Sequence, residues 1–156
     1  MPKKYAEGDR AANFTLPRDG GGTVSLADFA DRPLVLYFYP KDDTPGCTRE
    51  AIGFSQLADR FAAAGAAIVG VSKDSVARHD KFRDKHDLKI VLASDEDRHT
   101  IEAYGVWIEK KLYGRTYMGI ERATFLIDGT GTIRRIWHKV KVNGHAEEVL
   151  AAVEAL

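Results

Sequence analysis

The sequence predicts an α/β fold, a central mixed sheet flanked by helices. Two observations carry this. Three apolar runs lack polar alternation, Leu34–Tyr39, Ala66–Val71 and Ala123–Ile127, as strands buried on both faces do. Between the first two lies an amphipathic segment. Strand, helix and strand within roughly forty residues form a βαβ unit with a right-handed crossover.

In chain order, Asn13–Leu16 and Thr23–Leu26 read as two short strands around Arg18-Asp-Gly-Gly-Gly22. Triple glycine marks a hairpin turn. It lacks the strand-to-helix setting of a dinucleotide loop, which argues against phosphate binding. Leu26–Phe29 suits a helical turn.

The strand at 34–39 ends at Pro40, which cannot donate to a ladder. After a polar turn, Thr44 is placed to cap a helix with Pro45 at its first position. That helix is expected to run to about Ala64, with Gly65 as its C-cap. Cys47, Ala51, Phe54, Ala58 and Phe61 recur at helical spacing, so Cys47, the only cysteine in the chain, faces inward from the helix tip. Most unpaired cysteines simply fill cores, but a core-filling cysteine does not need Thr-Pro-Gly before it. Unpaired amides and the dipole at a helix start favour thiolate, and Gly46 permits close backbone approach.

Residues 75–86 read as a charged helix anchored by Val76 and Phe82, lying exposed on the sheet. Its His79 and His86 share a face. We read that face as solvated, because no third residue has metal-ligand spacing. Lys89–Leu92 reads as a strand. Ser94 then caps a helix ending near Tyr104-Gly105, with Asp95, Glu96 and Asp97 at its dipole end rather than on a metal. Residues 106–119 read as a long irregular segment, whose aromatics either border a pocket or anchor packing. Asp128–Gly131 turns into an edge strand within 132–140. Residues 144–156 close the fold as an amphipathic helix with Ala146, Val149, Leu150, Val153 and Leu156 inward.

Composition sets bounds. The 156 residues suit one domain over 1–156, and the formal net charge is zero with signs interspersed. Neither a nucleic-acid-binding face nor a membrane surface is expected. Residues 1–10 are polar, so no signal segment is expected. A single cysteine precludes an intramolecular disulfide and fits a cytoplasmic location.

The string Pro40-x-x-x-Thr44-x-x-Cys47 resembles the active-site motif of the peroxiredoxins, thiol-dependent peroxidases on a thioredoxin-like fold. Tyr37-Phe-Tyr-Pro-Lys41 followed by Thr44-Pro-Gly-Cys-Thr48 is similar to the Q-type, or bacterioferritin-comigratory, branch. The likeness continues through Gly70–Asp74, Ser94–Asp97, Tyr104–Trp107 and Gly119–Asp128.

The resemblance implies a thioredoxin-like fold of peroxiredoxin type with an N-terminal β-hairpin. It implies Cys47 as peroxidatic nucleophile and sulfenic acid former, and Thr44 as a hydrogen-bonding partner of the peroxide. Pro40 would shield the sulfur. Arg122 would hold thiolate and reacting oxygen, the Gly46 and Cys47 amides would complete the site, and Glu50 would orient the arginine. No cofactor or metal is implied. Many Q-type members carry a resolving cysteine five residues after the first, but here Ile52 stands there. The implied partners are a hydroperoxide and an external thiol: thioredoxin, glutaredoxin or glutathione. The implied assembly is a monomer or weak homodimer.

Lowering a thiol pKa from about 8.5 to about 6 raises its thiolate fraction at pH 7 about thirtyfold. Reduced basicity costs about tenfold in nucleophilicity. A few-fold gain is not catalysis, so donors must also act on the peroxide oxygens. A thioredoxin-type oxidoreductase is disfavoured, because Cys47-Thr-Arg-Glu50 lacks a second cysteine. A peroxide-sensing or chaperone-like module using the same thiol without turnover remains the alternative.

Overall fold

The computed structural model describes residues 5–156, so Lys3 and Lys4, on which the reading of the N-terminus partly rests, lie outside the described residues. A five-stranded sheet has the order β5-β4-β3-β8-β9. Its strands are β3 (Leu34–Phe38), β4 (Ala67–Ser72), β5 (Val91–Ser94), β8 (Ala123–Ile127) and β9 (Ile133–Trp137). β3, β4 and β5 are parallel, while β8 and β9 each run antiparallel to the preceding neighbour. The sheet is therefore mixed, as expected.

β3 is central and buried on both faces, and its period of two divides the core. Leu34, Leu36 and Phe38 join Val69, Val71, Ile101, Tyr104 and Phe125 on one side. Val35, Tyr37 and Tyr39 join Cys47, Phe54, Phe61, Phe82, Leu126 and Val149 on the other. The second layer is covered by α1 (Pro45–Gln56), α2 (Ala58–Ala63), α3 (Val76–His86) and α5 (His145–Glu154). Tyr37 lies so close across β4 that a Cβ on Gly70 would sit 2.7 Å from its Cζ.

β1 (Thr15–Pro17) and β2 (Thr23–Ser25) pair antiparallel around the glycine turn, and Leu26–Phe29 forms a 3-10 turn. Several expectations need correction. The helix expected to reach Ala64 is broken at Leu57, and Ala58 is only half-buried. The strand placed at 89–92 lies at 91–94, where Ser94 is its last residue rather than a cap.

α4 is confined to His99–Ala103. It starts late because Asp95 accepts from Ile101 N–H (2.7 Å) and Asp97 from His99 N–H (3.0 Å), so side chains fold the intervening residues into a turn. The segment 106–119 is not irregular. β6 (Trp107–Leu112) and β7 (Arg115–Ile120) pair antiparallel around Tyr113-Gly114. Both turn residues have positive φ, 50° and 75°, as a tight two-residue hairpin requires. Leu156 is half-exposed rather than inward, because the last helix ends at Glu154. No helix among the described residues is long and apolar enough to cross a membrane.

Candidate active site

β3 delivers the chain to Pro40, which is half-buried at the strand's end, and the 40–44 turn leads into α1. Thr44 occupies the N-cap position with extended backbone and Pro45 opens the helix. The expected side-chain cap is absent. Instead the Thr44 hydroxyl donates to the Lys41 carbonyl at 2.8 Å. The helical ladder begins at Thr48 N–H to Thr44 C=O (2.8 Å). Pro45 has no N–H, so the Gly46 and Cys47 amides precede that ladder as unsatisfied donors at the positive end of the helix.

Cys47 is 1% exposed. It lies on the same buried face as Glu50, Ala51 and Phe54. Arg122 reaches it from the opposite direction. β8 starts at Ala123, and the residue before it is fixed by Glu121 N–H to Val106 C=O (2.8 Å) and Val140 N–H to Arg122 C=O (2.9 Å). Arg122 Nη2 donates to Cys47 Sγ at 3.4 Å, and Nη1 donates to Glu50 Oε1 at 2.7 Å. A Cβ on Gly46 would lie 3.1 Å from Arg122 Nη2, so glycine leaves room for the guanidinium.

Burial pushes the Glu50 carboxyl up to about 7, against the opposing pull of Arg122. Its second oxygen, Oε2, is buried without a partner. Arg122 is held above its ordinary value: burial opposes its charge, and Glu50 and Cys47 more than offset this. The structure thus brings Cys47, Glu50, Gly46 and Arg122 together, with Pro40 and Thr44 on the adjoining turn.

Two features escaped the sequence. Lys110 of β6 is half-buried, and its pKa is lowered first by burial and then by the Arg122 charge, with Cys47 and Glu121 acting the other way. The β6–β7 hairpin therefore brings a second cation within electrostatic range of the site. The second is His79, expected on a solvated face and found 0% exposed. Its Nδ1 bonds Asp42 Oδ2 at 2.6 Å, and its Nε2 bonds the Ala93 carbonyl at 3.0 Å. Burial opposes protonation of His79, but the bond to Asp42 outweighs it and raises the pKa. The seven-residue spacing of His79 and His86 was a usable signal, since the two meet the adjacent Asp42 and Asp43. No cluster of three metal-ligating side chains exists among the described residues.

Comparison with known proteins identifies the family. The model of the AhpC/TSA family matches residues 7–136. A putative peroxiredoxin bcp of Coxiella burnetii is 50% identical over 143 residues, covering 92% of this chain and 95% of the relative. Peroxiredoxin Bcp of Bacillus subtilis is 47% identical over 147 residues, with 94% of each covered. Among solved structures, Xanthomonas campestris peroxiredoxin Q superposes with a TM-score of 0.87 at 47% identity, covering 91% of this chain and 90% of that one. A Xylella fastidiosa PrxQ variant does so with a TM-score of 0.93 at 41% identity, over 98% of each chain. The chain therefore belongs to the AhpC/TSA family, as a single-cysteine member of its Bcp, or Q-type, peroxiredoxin branch.

Proposed function

We propose that this protein is a thiol-dependent peroxidase that reduces hydrogen peroxide and organic hydroperoxides through a sulfenic acid on Cys47. The observation that carries this is the contact of Arg122 with the Cys47 sulfur at a helix start. Structures of the Xanthomonas campestris relative concern its alkyl peroxide reduction activity.

The Cys47 thiolate attacks the hydroxyl-bearing oxygen of the hydroperoxide. The S–O bond forms as the O–O bond breaks, and the electron pair leaves with the distal oxygen, which takes a proton and departs as water or alcohol. Arg122, permanently charged, offers a donor to sulfur and to the oxygen being attacked. The Gly46 and Cys47 amides face the same developing charge. Thr44 already donates to Lys41, so its oxygen is left to accept from the peroxide O–H. Pro40 covers the site, and Glu50 holds the guanidinium through its bond to Nη1.

The sulfenic acid then condenses with an external thiol, releasing water. A second thiol reduces the mixed disulfide. Thioredoxin, glutaredoxin and glutathione are the reductant classes that fit, in a cytoplasmic monomer or weak homodimer folded as one domain over 1–156. The test is stopped-flow oxidation of the reduced protein by hydrogen peroxide and an alkyl hydroperoxide, followed by steady-state turnover with thiol. Many peroxide equivalents consumed per protein support the enzyme. A single equivalent, with no turnover for any of these thiols, would favour a sensor.

A further inference from the structure

We propose that His79, acting through Asp42, is a positioning residue for Thr44, so that helix α3 sets the geometry of the peroxide site. This rests on the peroxidase reading above. The turn between β3 and α1 is exposed at Lys41 and Asp43, yet Asp42 between them is 3% exposed. Its carboxylate is fully engaged. Oδ1 accepts from the Tyr39 hydroxyl at 2.5 Å, and Oδ2 meets His79 Nδ1 at 2.6 Å. The Asp42 amide donates to Asp74 Oδ2 at 2.8 Å. Asp74 is itself held by the Ser72 hydroxyl (2.7 Å) and Arg78 Nε (3.0 Å).

His79 is equally constrained. The Ala93 carbonyl can only accept, so Nε2 carries a proton. Asp42, already accepting from Tyr39, accepts again from Nδ1. Both ring nitrogens donate, and the side chain is a buried imidazolium paired with a buried carboxylate. Next to Asp42, Asp43 takes a left-handed backbone (φ 61°) and pairs with Lys85 (2.8 Å) and His86 (3.0 Å). Two consecutive aspartates thus fasten the turn to one face of α3.

The consequence for the site runs through a single carbonyl. Lys41 C=O is the acceptor that fixes the Thr44 hydroxyl at 2.8 Å, and it precedes the amide that Asp42 donates to Asp74. The 41–42 peptide is therefore held on one side by the Asp42 anchors and on the other by Thr44. Freeing Asp42 lets that peptide rotate and swings the Thr44 hydroxyl off the peroxide. Misplacement of about 1 Å by a residue distant from the chemistry is enough to slow a reaction by as much as ~100-fold.

Two amide substitutions separate the contacts of His79. In His79→Asn the shorter side-chain amide nitrogen takes the place of Nδ1 and keeps the bond to Asp42. In His79→Gln the longer one takes the place of the ring Nε2 and keeps only the Ala93 carbonyl. The experiment measures the second-order rate of Cys47 oxidation by hydrogen peroxide in His79→Asn and His79→Gln, each alone and combined with Thr44→Val. Alkylation by monobromobimane serves as the control for thiol reactivity. We expect His79→Asn to stay within about threefold of wild type and His79→Gln to slow peroxide reaction about tenfold or more, with bimane labelling nearly unchanged. In the Thr44→Val background, His79→Gln should cost no more than about twofold, because residues acting through one group are not additive. Equal rates for the two amides, or undiminished slowing in the Thr44→Val background, would overturn the proposal. If neither His79 variant folds, Tyr39→Phe, which removes the hydroxyl donor to Asp42 and keeps the packed ring, enters the same cycle with the same direction of effect as His79→Gln. A Tyr39→Phe rate equal to wild type would overturn the proposal. Wild-type protein inert to peroxide would instead overturn the peroxidase reading before any variant is compared.

Discussion

Glu50 Oε1 accepts a 2.7 Å bond from Arg122 Nη1 while Glu50 itself is 2% exposed, so the guanidinium is aimed at Cys47 by a carboxylate that burial makes hard to ionise. Glu50 titrates at about 7 rather than 4.5. Below about pH 7 it takes up a proton and loosens its hold on Arg122. We expect the peroxide rate, corrected for the separately measured thiolate fraction, to fall through a step near pH 7 that Glu50→Gln lacks. A profile unchanged in Glu50→Gln would refute this role.

The same shift bears on stability. A carboxyl whose folded pKa is raised contributes stability that is fully present below the unfolded value and lost as pH rises through the folded one. The rise from 4.5 to about 7 corresponds to on the order of 3 kcal/mol. Urea unfolding midpoints should therefore decline between about pH 5 and about pH 8, and Glu50→Gln should flatten that decline.

Arg122→Ala, which removes a preorganised donor, and Thr44→Val, which removes the acceptor of the peroxide O–H, should each slow sulfenic acid formation by at least ~100-fold. Stopped-flow fluorescence from Trp107 and Trp137 reads this directly. A loss of only a few-fold would mean that these groups merely ionise the thiol.

Cys47→Ser should abolish peroxide consumption and leave circular dichroism unchanged, because oxygen replaces sulfur at a small buried site. Substantial residual turnover in that variant would sink the mechanism.

Resolution has a distinctive signature. Ile52 is half-buried among the second core layer and no second thiol exists. After one equivalent of peroxide, mass spectrometry should show a gain of one oxygen, then a mixed disulfide once a small thiol is added. Excess peroxide should drive the unresolved sulfur to sulfinic acid. A disulfide-linked dimer formed without added thiol would show resolution between subunits. Cys47 is buried, so that route requires the helix tip to unwind.

Whatever repeats along the chain, or follows from a single turn, was legible in the residues alone. Unalternating runs marked β3, β4 and β8, helical spacing placed Cys47 inward, and Thr44-Pro45 marked the start of α1. Motif resemblance named Arg122 and Glu50, which lie 72 residues apart. Whatever depends on long-range partners came from the folded arrangement. The 106–119 segment pairs with itself because Tyr113 and Gly114 adopt positive φ, which its aromatic and basic residues did not announce. His79 sits in a mostly charged helix, and its seven-residue spacing from His86 puts both on one face without saying whether that face meets water or Asp42 and Asp43. Its burial is settled by Asp42, 37 residues earlier, and by a carbonyl of β5. A charge can leave water only where partners from other elements wait for it, and those partners exist only once the sheet has brought β3, β5 and α3 together.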